Sequence, residues 1–358
     1  MSNLYTNRVI ADDLRVVADS PDIADKLRGT TVMITGASGM LGLYCAFICL
    51  HLNDRFDAGI KVIALVRNQR KARQVFGDTA NRSDLDLLVA DVSDPIDYAG
   101  PLDYVIHAAS QASPTYFEQD PVGTIKANTL GVINTLDLAR DRHARGYLFV
   151  STREIYGQPT AGTEWITEDD WGHVNPLDVR SCYSEGKRAG ETIVVSYAHQ
   201  YDVPVKIARL SHTYGPGMGI DDARVQAFFA RSVLDGTDIV LKSTGQLQRT
   251  YTYVADAAAA IYHVLLKTDG VTYNIADTDS LVTIKELAET FIAARPDKHL
   301  NLQFDLSPDA ARAGWSPVTG GNLDCSRLTA TGWQAQFHLV DGVNRTLSFF
   351  ESDSRGRG

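Results

Sequence analysis

Short apolar runs alternate with amphipathic stretches along the chain, and this alternation predicts strands separated by helices. The apolar runs lie at 31–35, 61–66, 85–89, 104–107, 147–150 and 205–209. Runs of this length suit strands that are buried on both faces. Between them the apolar residues recur at helical spacing, most clearly over Val122–Asp141 and Glu185–Tyr201. Strands that alternate with helices in this way indicate an α/β fold built on a doubly wound parallel sheet.

A glycine-rich turn joins the first predicted strand to an apolar helix that continues through Leu52. The glycines recur every third residue, and the turn reads Gly36-Ala-Ser38-Gly39-Met40-Leu41-Gly42. Such glycines let the backbone approach a pyrophosphate, while the helix N-terminus supplies N–H groups and a partial positive charge. The sequence therefore predicts a dinucleotide site formed by Gly36, Ser38, Gly39, Met40, Leu41 and Gly42.

The ends of the next strands are expected to complete this dinucleotide site. An acidic residue after the second strand would bind the ribose 2′-hydroxyl of NAD, but Arg67 stands there and suits the 2′-phosphate of NADP. NAD is the expected cofactor, and NADP stays open because of Arg67. Asp91, after the third strand, is expected at the adenine amino group. The remaining predicted cofactor contacts are Val92, Ala108, Ala109, Ser110 and Asn128.

This pattern divides the chain into four predicted parts. Residues 1–29 form a helical extension, and residues 30–210 form a Rossmann-type dinucleotide-binding domain. Residues 211–351 form mostly a smaller C-terminal substrate-binding domain, from which some strands and helices return to the first domain. Residues 352–358 form a tail.

Composition and charge restrict the classes of partner. The 358 residues are 44% hydrophobic and 22% charged, as in ordinary globular proteins, and the formal net charge of −10 argues against nucleic acid or a membrane surface. An anionic substrate must then be held by locally placed cations. The four cysteines have no metal-ligand spacing, so no metal is expected. The polar N-terminus lacks a signal-peptide core and no apolar segment suits a membrane span, so we expect a cytoplasmic protein.

Tyr183 and Lys187 stand four residues apart on a predicted helix, which places a phenol and an ammonium on one face. A free tyrosine has a pKa near 10, and its use as a base near pH 7 requires about 4 kcal/mol in favour of the phenolate. A fixed ammonium, together with a cationic nicotinamide, could supply this free energy. We therefore expect Tyr183 to be a catalytic acid or base and Lys187 to act beside it.

The fifth predicted strand runs into Ser151-Thr152-Arg153-Glu154-Ile155-Tyr156-Gly157. Ligands of an open parallel sheet lie beyond the carboxyl ends of its strands, so this loop is expected to face the cofactor and Tyr183. Thr152 can hydrogen-bond a hydroxyl or carbonyl of the substrate, and Glu154 can act as a base. Both are predicted to be catalytic.

At this point the sequence resembles the extended short-chain dehydrogenase/reductases that modify nucleotide sugars, the NAD-dependent epimerase/dehydratase family. The shared motifs occur in the family's order: Thr35-Gly-Ala-Ser-Gly-Met-Leu-Gly42, Ser151 to Gly157, Tyr183-Ser-Glu-Gly-Lys187 and Tyr214-Gly-Pro216. Within the family the chain looks most like the UDP-glucuronate decarboxylases, on His107-Ala-Ala-Ser-Gln-Ala-Ser-Pro114 and on Asp170 to Arg188. The resemblance runs from about Thr30 to Phe291.

The resemblance implies a role for several residues. Tyr183 would handle the proton of the sugar 4-hydroxyl, Lys187 would bind the nicotinamide ribose, and Thr152 would bind the 4-oxygen. Glu154 matches an acid that dehydratases and decarboxylases of the family carry in this loop. The implied substrate is a nucleotide sugar, expected to be UDP-linked, and its expected ligands are Ser113, Arg153, His212, Arg224 and Arg249. Arg327 is a further candidate for a phosphate.

Three departures from the family leave the reaction open. Arg153 replaces the serine of decarboxylases and the aspartate of dehydratases, His212 replaces an asparagine, and Arg67 replaces an acid. Arg153 could hold a uronate carboxylate or turn outward to solvent. Decarboxylation of UDP-glucuronate is the main expectation. The alternatives are 4,6-dehydration, 4-epimerisation, and a sensor that binds NAD(P) without catalysis.

The resemblance also implies a homodimer. The helices predicted at Val122–Asp141 and Glu185–Tyr201 carry more apolar residues than one sheet face needs. Relatives in the family pair these helices between subunits, and the same is expected here.

Overall fold

A seven-stranded parallel sheet forms the centre of the protein, in the order β3-β2-β1-β4-β5-β7-β11. The structure is a computed structural model that describes residues 3–307 and 321–353. The strands are β1 Thr31–Thr35, β2 Lys61–Val66, β3 Leu85–Val89, β4 Tyr104–His107, β5 Gly146–Thr152, β7 Val205–Leu210 and β11 Thr272–Ile275. The strand order reverses between β1 and β4, where open α/β sheets bind their ligands. The predicted α/β, doubly wound fold is confirmed.

Helices cover both faces of this sheet. They are α1 Arg8–Val17, α2 Pro21–Leu27, α3 Met40–Phe56, α4 Gln69–Phe76, α5 Pro114–Gln119, α6 Pro121–Asn128, α7 Leu130–Asp141, α8 Cys182–Tyr201, α9 Val225–Asp235, α10 Val254–Lys267, α11 Ile284–Ala293, α12 Ser326–Thr329 and α13 Leu339–Ser352. Successive residues of a strand point to opposite faces, so Val32 and Ile34 join one core while Met33 joins the other. Helices α3 and α10 cover the first core, and α7 and α8 cover the second.

The long helix predicted over Val122–Asp141 is wrong in one respect, because it is two helices that meet at Thr129. The side chain of Asn128 donates to the carbonyl of Thr124 at 2.9 Å, and the Thr129 hydroxyl donates to the carbonyl of Ile125 at 2.8 Å. Side chains that bond to the preceding turn compete with the helical ladder and bend helices. The break leaves Asn128 at the end of α6 rather than inside a helix.

Residues beyond β7 build smaller sheets beside the carboxyl ends of the main strands. Strand β10 lies between β8 and β12, while β9 pairs with β13 and β6 with β14. The bounds are β6 Trp165–Ile166, β8 His212–Tyr214, β9 Ile239–Leu241, β10 Gln248–Tyr253, β12 Leu281–Thr283, β13 Leu302–Phe304 and β14 Asn322–Leu323. Strand β11 and helix α10 return to the main sheet. In the predicted tail, Ser352 ends α13, and 354–358 lie outside the described residues.

The N-terminal extension is helical as predicted, and it packs on the first core through Ile10 and Leu14 of α1. Asp13 of the same helix is fully buried and binds three side chains from distant parts of the chain. Tyr44 and Tyr253 donate to its carboxylate at 2.6 and 2.8 Å, and Arg345 donates at 2.8 Å. Asp13 therefore ties α1 to α3, β10 and α13.

The helices of the described ranges are each too short or too polar to span a bilayer. The four cysteines are buried and form no disulfide, and Cys45 and Cys49 lie in the core on α3, as their helical spacing indicates.

Candidate active site

A cavity of about 1620 Å³ lies beyond the carboxyl ends of the main strands. Of the predicted site residues, all but Asn128 and Arg327 line it. They are Gly36, Ser38, Gly39, Met40, Leu41, Gly42, Arg67, Asp91, Val92, Ala108, Ala109, Ser110, Ser113, Thr152, Arg153, Glu154, Tyr183, Lys187, His212, Arg224 and Arg249. The fold thus brings together residues that are far apart in the sequence.

The turn after β1 is packed so closely that its glycines have no room for side chains. A Cβ on Gly42 would come within 2.5 Å of the carbonyl oxygen of Gly36, and one on Gly36 would come within 2.8 Å of Ala109. Gly36 also has a φ of +65°, a left-handed conformation that favours glycine. Gly39 caps α3 without a side chain, so the first N–H groups of α3 are left for a ligand.

Tyr183 and Lys187 share one face of α8, as predicted, and both are buried at the cavity wall. The Lys187 Nζ donates to the carbonyl of Val150 at 2.6 Å and lies 6.0 Å from the centre of the Tyr183 ring. Burial lowers the pKa of Lys187 to about 7, and the Glu191 carboxylate partly opposes this effect. Lys187 therefore changes its charge near neutral pH.

Burial raises the pKa of Tyr183 to about 12, and a hydrogen bond with Thr152 opposes the increase. Glu154 raises this pKa further, while Arg224 lowers it. In the ligand-free protein, desolvation of Tyr183 therefore outweighs the charge of Arg224 and disfavours the phenolate.

Thr152 ends β5 and caps a short 3₁₀ turn, Arg153–Tyr156, by accepting from the N–H of Glu154 at 3.2 Å. Thr152 is thereby placed beside the Tyr183 phenol, and Glu154 follows on the same turn at the cavity. The Glu154 carboxylate lies 3.8 Å from the guanidinium of Arg153.

Arg153 points inward, with only 4% of its side chain exposed, and its Nη2 donates to the carbonyl of Gly321 at 3.1 Å. Arg249 of β10 is equally buried, and His212 of β8 faces both arginines. Burial and the charge of Arg153 lower the pKa of Arg249 to about 10. Burial, Arg153 and Arg249 hold the pKa of His212 well below its ordinary value, so His212 is neutral at pH 7. We call the two arginines, Arg153 and Arg249, together with the neutral His212, the cationic cluster.

Arg224 and Ser113 lie at other parts of the cavity wall. Arg224 precedes α9 and makes two hydrogen bonds of 3.0 Å to the Asp222 carboxylate. Ser113 precedes α5, and its side chain caps no N–H group of that helix.

Comparison with known proteins identifies the family. The NAD dependent epimerase/dehydratase family matches residues 32–276. The UDP-glucuronic acid decarboxylase 6 of Arabidopsis thaliana is 32% identical to the chain, over 91% of the chain and 89% of that protein. The chain belongs to the NAD-dependent epimerase/dehydratase family.

Solved structures agree with this family at the level of the fold. A UDP-glucose 4-epimerase from Thermotoga maritima superposes with a TM-score of 0.72 at 20% identity, covering 90% of this chain and 99% of that one. A dTDP-glucose 4,6-dehydratase from Bacillus anthracis, in complex with NAD, gives a TM-score of 0.71 at 17% identity, covering 91% and 97%.

The cavity of this family member fits a nicotinamide dinucleotide. The glycines of the turn line the cavity, and no side chain caps the start of α3, so its first N–H groups are open to a pyrophosphate. The hydroxyl of Ser110 is buried at the same wall without a hydrogen-bond partner among the described residues. A ligand with hydroxyl groups would satisfy it.

Two predicted contacts lie elsewhere. Asn128 is fully buried behind the cavity wall, where its side chain donates to Thr124 and its amide oxygen has no partner among the described residues. Arg327 does not line the cavity, and its guanidinium binds Asp169 at 2.7 Å and lies 3.5 Å from Glu168. The expected phosphate contact of Arg327 is therefore wrong, because acids on a neighbouring loop hold the side chain.

The sequence analysis missed Phe117 of α5. Its ring stacks on Tyr183 with the ring centres 4.8 Å apart and the planes 18° apart, and it also lines the cavity. The guanidinium carbon of Arg180 lies 5.8 Å from the centre of the Phe117 ring. The only signal was a pair of adjacent aromatic residues, Tyr116 and Phe117, in a short helix that begins with proline, and this signal is too common to indicate a site.

Proposed function

We propose that this protein oxidises C4 of a UDP-linked uronic acid and decarboxylates it, converting UDP-glucuronate to UDP-xylose and CO2. The observation that carries the proposal is the cationic cluster beside Thr152, Glu154 and Tyr183. The named activity of the relatives, UDP-glucuronic acid decarboxylase, supports the same substrate.

The charges of the cluster favour an anionic group on the sugar. Two buried guanidiniums, from Arg153 and Arg249, line the cavity, and the Glu154 carboxylate lies 3.8 Å from that of Arg153. Guanidiniums at a cavity wall attract an anionic group of a ligand. A planar carboxylate matches the fork of an arginine, and Arg153 directly follows Thr152, which contacts the reacting phenol. We assign the carboxylate of the uronic acid to Arg153.

A dinucleotide held at the glycine turn would supply a hydride acceptor for C4, a hydride donor at the end of the cycle and a positive charge near Tyr183. The Tyr183 phenolate removes the proton of the 4-hydroxyl, and the Thr152 hydroxyl orients the 4-oxygen. The hydrogen bond from Lys187 Nζ to the Val150 carbonyl holds the ammonium in place, and Lys187 supplies an N–H donor on the same face of α8 as Tyr183. Stacking on Phe117 keeps the phenol in place.

Oxidation at C4 makes the uronic acid a β-keto acid, which loses CO2 readily. The C5–C6 bond breaks, and its electron pair moves to the 4-oxygen as an enolate. The hydroxyl of Thr152 and the guanidinium of Arg249 are the donors that stabilise this oxygen. A proton from solvent then returns to C5, and Tyr183 returns the proton to the 4-oxygen as C4 is reduced.

NAD is the cofactor we propose. NADP should also be accepted, because the end of β2 offers cations to a 2′-phosphate instead of an acid. Arg67 is largely exposed at the cavity rim, 3.8 Å from Asp91, and Lys71 also lines the rim. We further propose a cytoplasmic homodimer in which residues 30–210 bind the dinucleotide and most of 211–351 bind the substrate. Four thiols without a disulfide suit a reducing compartment.

Product analysis tests the proposed reaction. Purified protein with NAD and UDP-glucuronate should release CO2 and form UDP-xylose. A 4-epimer without CO2 would identify an epimerase. A 4-keto-6-deoxy sugar from UDP-glucose would identify a dehydratase, and dinucleotide binding without turnover of any sugar would identify a sensor.

A further inference from the structure

The turn that carries Glu154 is held by side chains from the helix that carries Tyr183 and Lys187. Arg188 of α8 donates through Nε to the carbonyl of Ile155 at 2.6 Å. Its Nη2 donates to the carbonyl of Gly172 at 2.7 Å, on the segment that runs alongside the turn. One guanidinium thus joins the turn and its neighbour to the catalytic helix.

A second link starts one helical turn further along α8, at Glu191. This carboxylate accepts a short hydrogen bond from Ser151, the residue before Thr152, and accepts from Nε and Nη2 of Arg209 at 3.0 and 2.7 Å. Arg209 lies on β7, and its Nη1 donates to the hydroxyl of Tyr156 at 2.9 Å. Tyr156 ends the turn. The chain of contacts therefore fixes both ends of the segment that contains Thr152 and Glu154.

Neither link is in a position to touch substrate. Of the residues that the structure describes, Arg188, Glu191, Arg209 and Tyr156 are all absent from the cavity wall. The pair of Glu191 and Arg209 is nearly buried, with 12% of each side chain exposed. A buried ion pair of this kind has a high desolvation cost, which offsets its attraction, so a gain in stability does not explain why the pair is present.

We propose that Arg188 and the pair of Glu191 and Arg209 are positioning residues, which hold Thr152 and Glu154 in register with Tyr183 and Lys187. The inference rests on the proposed function, in which Thr152 orients the 4-oxygen of the sugar beside Glu154. A four-residue 3₁₀ turn makes few hydrogen bonds of its own, so its conformation depends on these outside contacts. Displacement of a catalytic group by about 1 Å can cost about 100-fold in rate.

The main test replaces Arg188 by methionine, which keeps an unbranched side chain but donates no hydrogen bond. We expect kcat for UDP-glucuronate to fall by about 10-fold or more, since Ile155 and Gly172 lose their donor. The Kd for NAD and the KM for UDP-glucuronate should change by less than about 3-fold, because the cavity wall is intact. Amide hydrogen exchange at Glu154 and Gly157 should become faster, while exchange along β1 stays unchanged.

Two further variants separate positioning from general stability. Arg140→Met removes a comparably exposed arginine from α7, next to α8, and should leave kcat and exchange at the turn unchanged. Tyr156→Phe keeps the buried ring but removes the hydroxyl that binds Arg209 and Asn274, and should reproduce the loss of kcat. Arg188→Lys, with one donor group in place of the fork, should recover only part of the rate.

Unchanged kcat and unchanged exchange at Glu154 and Gly157 in both Arg188→Met and Tyr156→Phe would overturn the proposal. A loss of kcat that follows the unfolding temperature, without faster exchange at the turn, would overturn it as well. Failure of the unmodified protein to turn over UDP-glucuronate would instead remove the proposed function, and the exchange measurement would still decide whether Arg188 holds the turn.

Discussion

The buried guanidinium of Arg153 gives the sugar end of the cavity a chemical preference. It follows Thr152 in the chain, contacts the Gly321 carbonyl and faces Arg249 across His212. A neutral hexose would leave this positive charge without an added counter-charge, whereas a uronic acid supplies one. Discrimination between the two sugars should therefore depend on Arg153.

Arg153→Ser tests this preference with a matched pair of ligands. Loss of a charge-assisted hydrogen bond costs about 1.5–3 kcal/mol, so the Kd for UDP-glucuronate should rise by roughly 10- to 100-fold. The Kd for UDP-glucose, which lacks the carboxylate, should change by less than about 3-fold. Titration calorimetry with NAD-loaded protein measures both. Equal weakening for the two sugars would contradict the assignment of the carboxylate to Arg153.

Lys187 has a role in the proposed chemistry, but its buried charge lowers the free energy of unfolding. Its pKa is lowered from 10.5 to about 7 by burial, so the folded protein holds the charged form unfavourably below pH 7. As pH rises from 7 towards 10.5, the native state loses the proton before the unfolded state does. The contribution of Lys187 to stability is therefore present above pH 10.5 and is lost as pH falls through 7.

Lys187→Met should abolish activity and stabilise the protein. We expect the unfolding temperature at pH 6 to rise by roughly 2–8 °C, with a gain that shrinks towards pH 10, and kcat to fall by about 100-fold or more. Calorimetry across this pH range provides the measurement. Lys285→Met, at an exposed site on α11, serves as control and should change neither quantity. A variant that is less stable at pH 6 would show that the bond to Val150 outweighs desolvation.

At the scale of elements, the end of β2 decides which dinucleotide the cavity accepts. Arg67 and Lys71 stand at the rim, and Asn68 caps α4 between them. Arg67→Asp should weaken NADP binding by about 10-fold or more, because a 2′-phosphate then meets a carboxylate, and should leave NAD binding equal or tighter. Fluorescence titration with both dinucleotides gives the ratio. Arg70→Asp changes an arginine three residues further along, outside the cavity wall, and should leave the ratio of the two affinities unchanged. An effect of equal size at Arg70 would contradict a contact between Arg67 and the 2′-phosphate.

The main elements could be predicted because their signals are local. Strands β1, β2, β3 and β4 have the predicted bounds, and the glycine turn after β1 lies where a pyrophosphate site was expected. The break between α6 and α7 could not be read from periodicity, because it depends on hydrogen bonds of Asn128 and Thr129 within a continuous amphipathic pattern.

The site was predictable as a set of residues and less so as a set of contacts. The direction in which Arg153 points depends on Gly321, far away in the chain, and the partners of Arg327 lie on the loop that carries Asp169. Phe117 meets Tyr183 only through the packing of α5 against the start of α8. Contacts of this kind arise from tertiary packing, which leaves no periodic signal in one sequence.

At the scale of the whole molecule, α6 and α8 present an apolar surface that we expect a second copy to cover. These helices pack on each other, yet Val122, Ile125 and Val195 remain exposed. Exposed apolar residues that cluster in this way mark interfaces.

Light scattering after gel filtration tests the dimer. The unmodified protein should elute with the mass of two chains, and Ile125→Glu combined with Val195→Glu should give the mass of one, because the buried charges would repel. Val340→Glu, at an equally exposed apolar site on α13, should leave the mass unchanged. A single-chain mass for the unmodified protein would remove the dimer from the proposal.

The buried carboxylate of Asp13 acquires its full set of partners only when the last part of the chain has been synthesised. Its partners are Tyr44, Tyr253 and Arg345, so the last of them leaves the ribosome more than three hundred residues after Asp13 itself. Until α13 emerges, α1 can only dock against an incomplete set of partners. Removal of α13 would leave the Asp13 carboxylate without Arg345, and removal of α1 would leave Arg345 without Asp13, so loss of either end should destabilise the packing of the other.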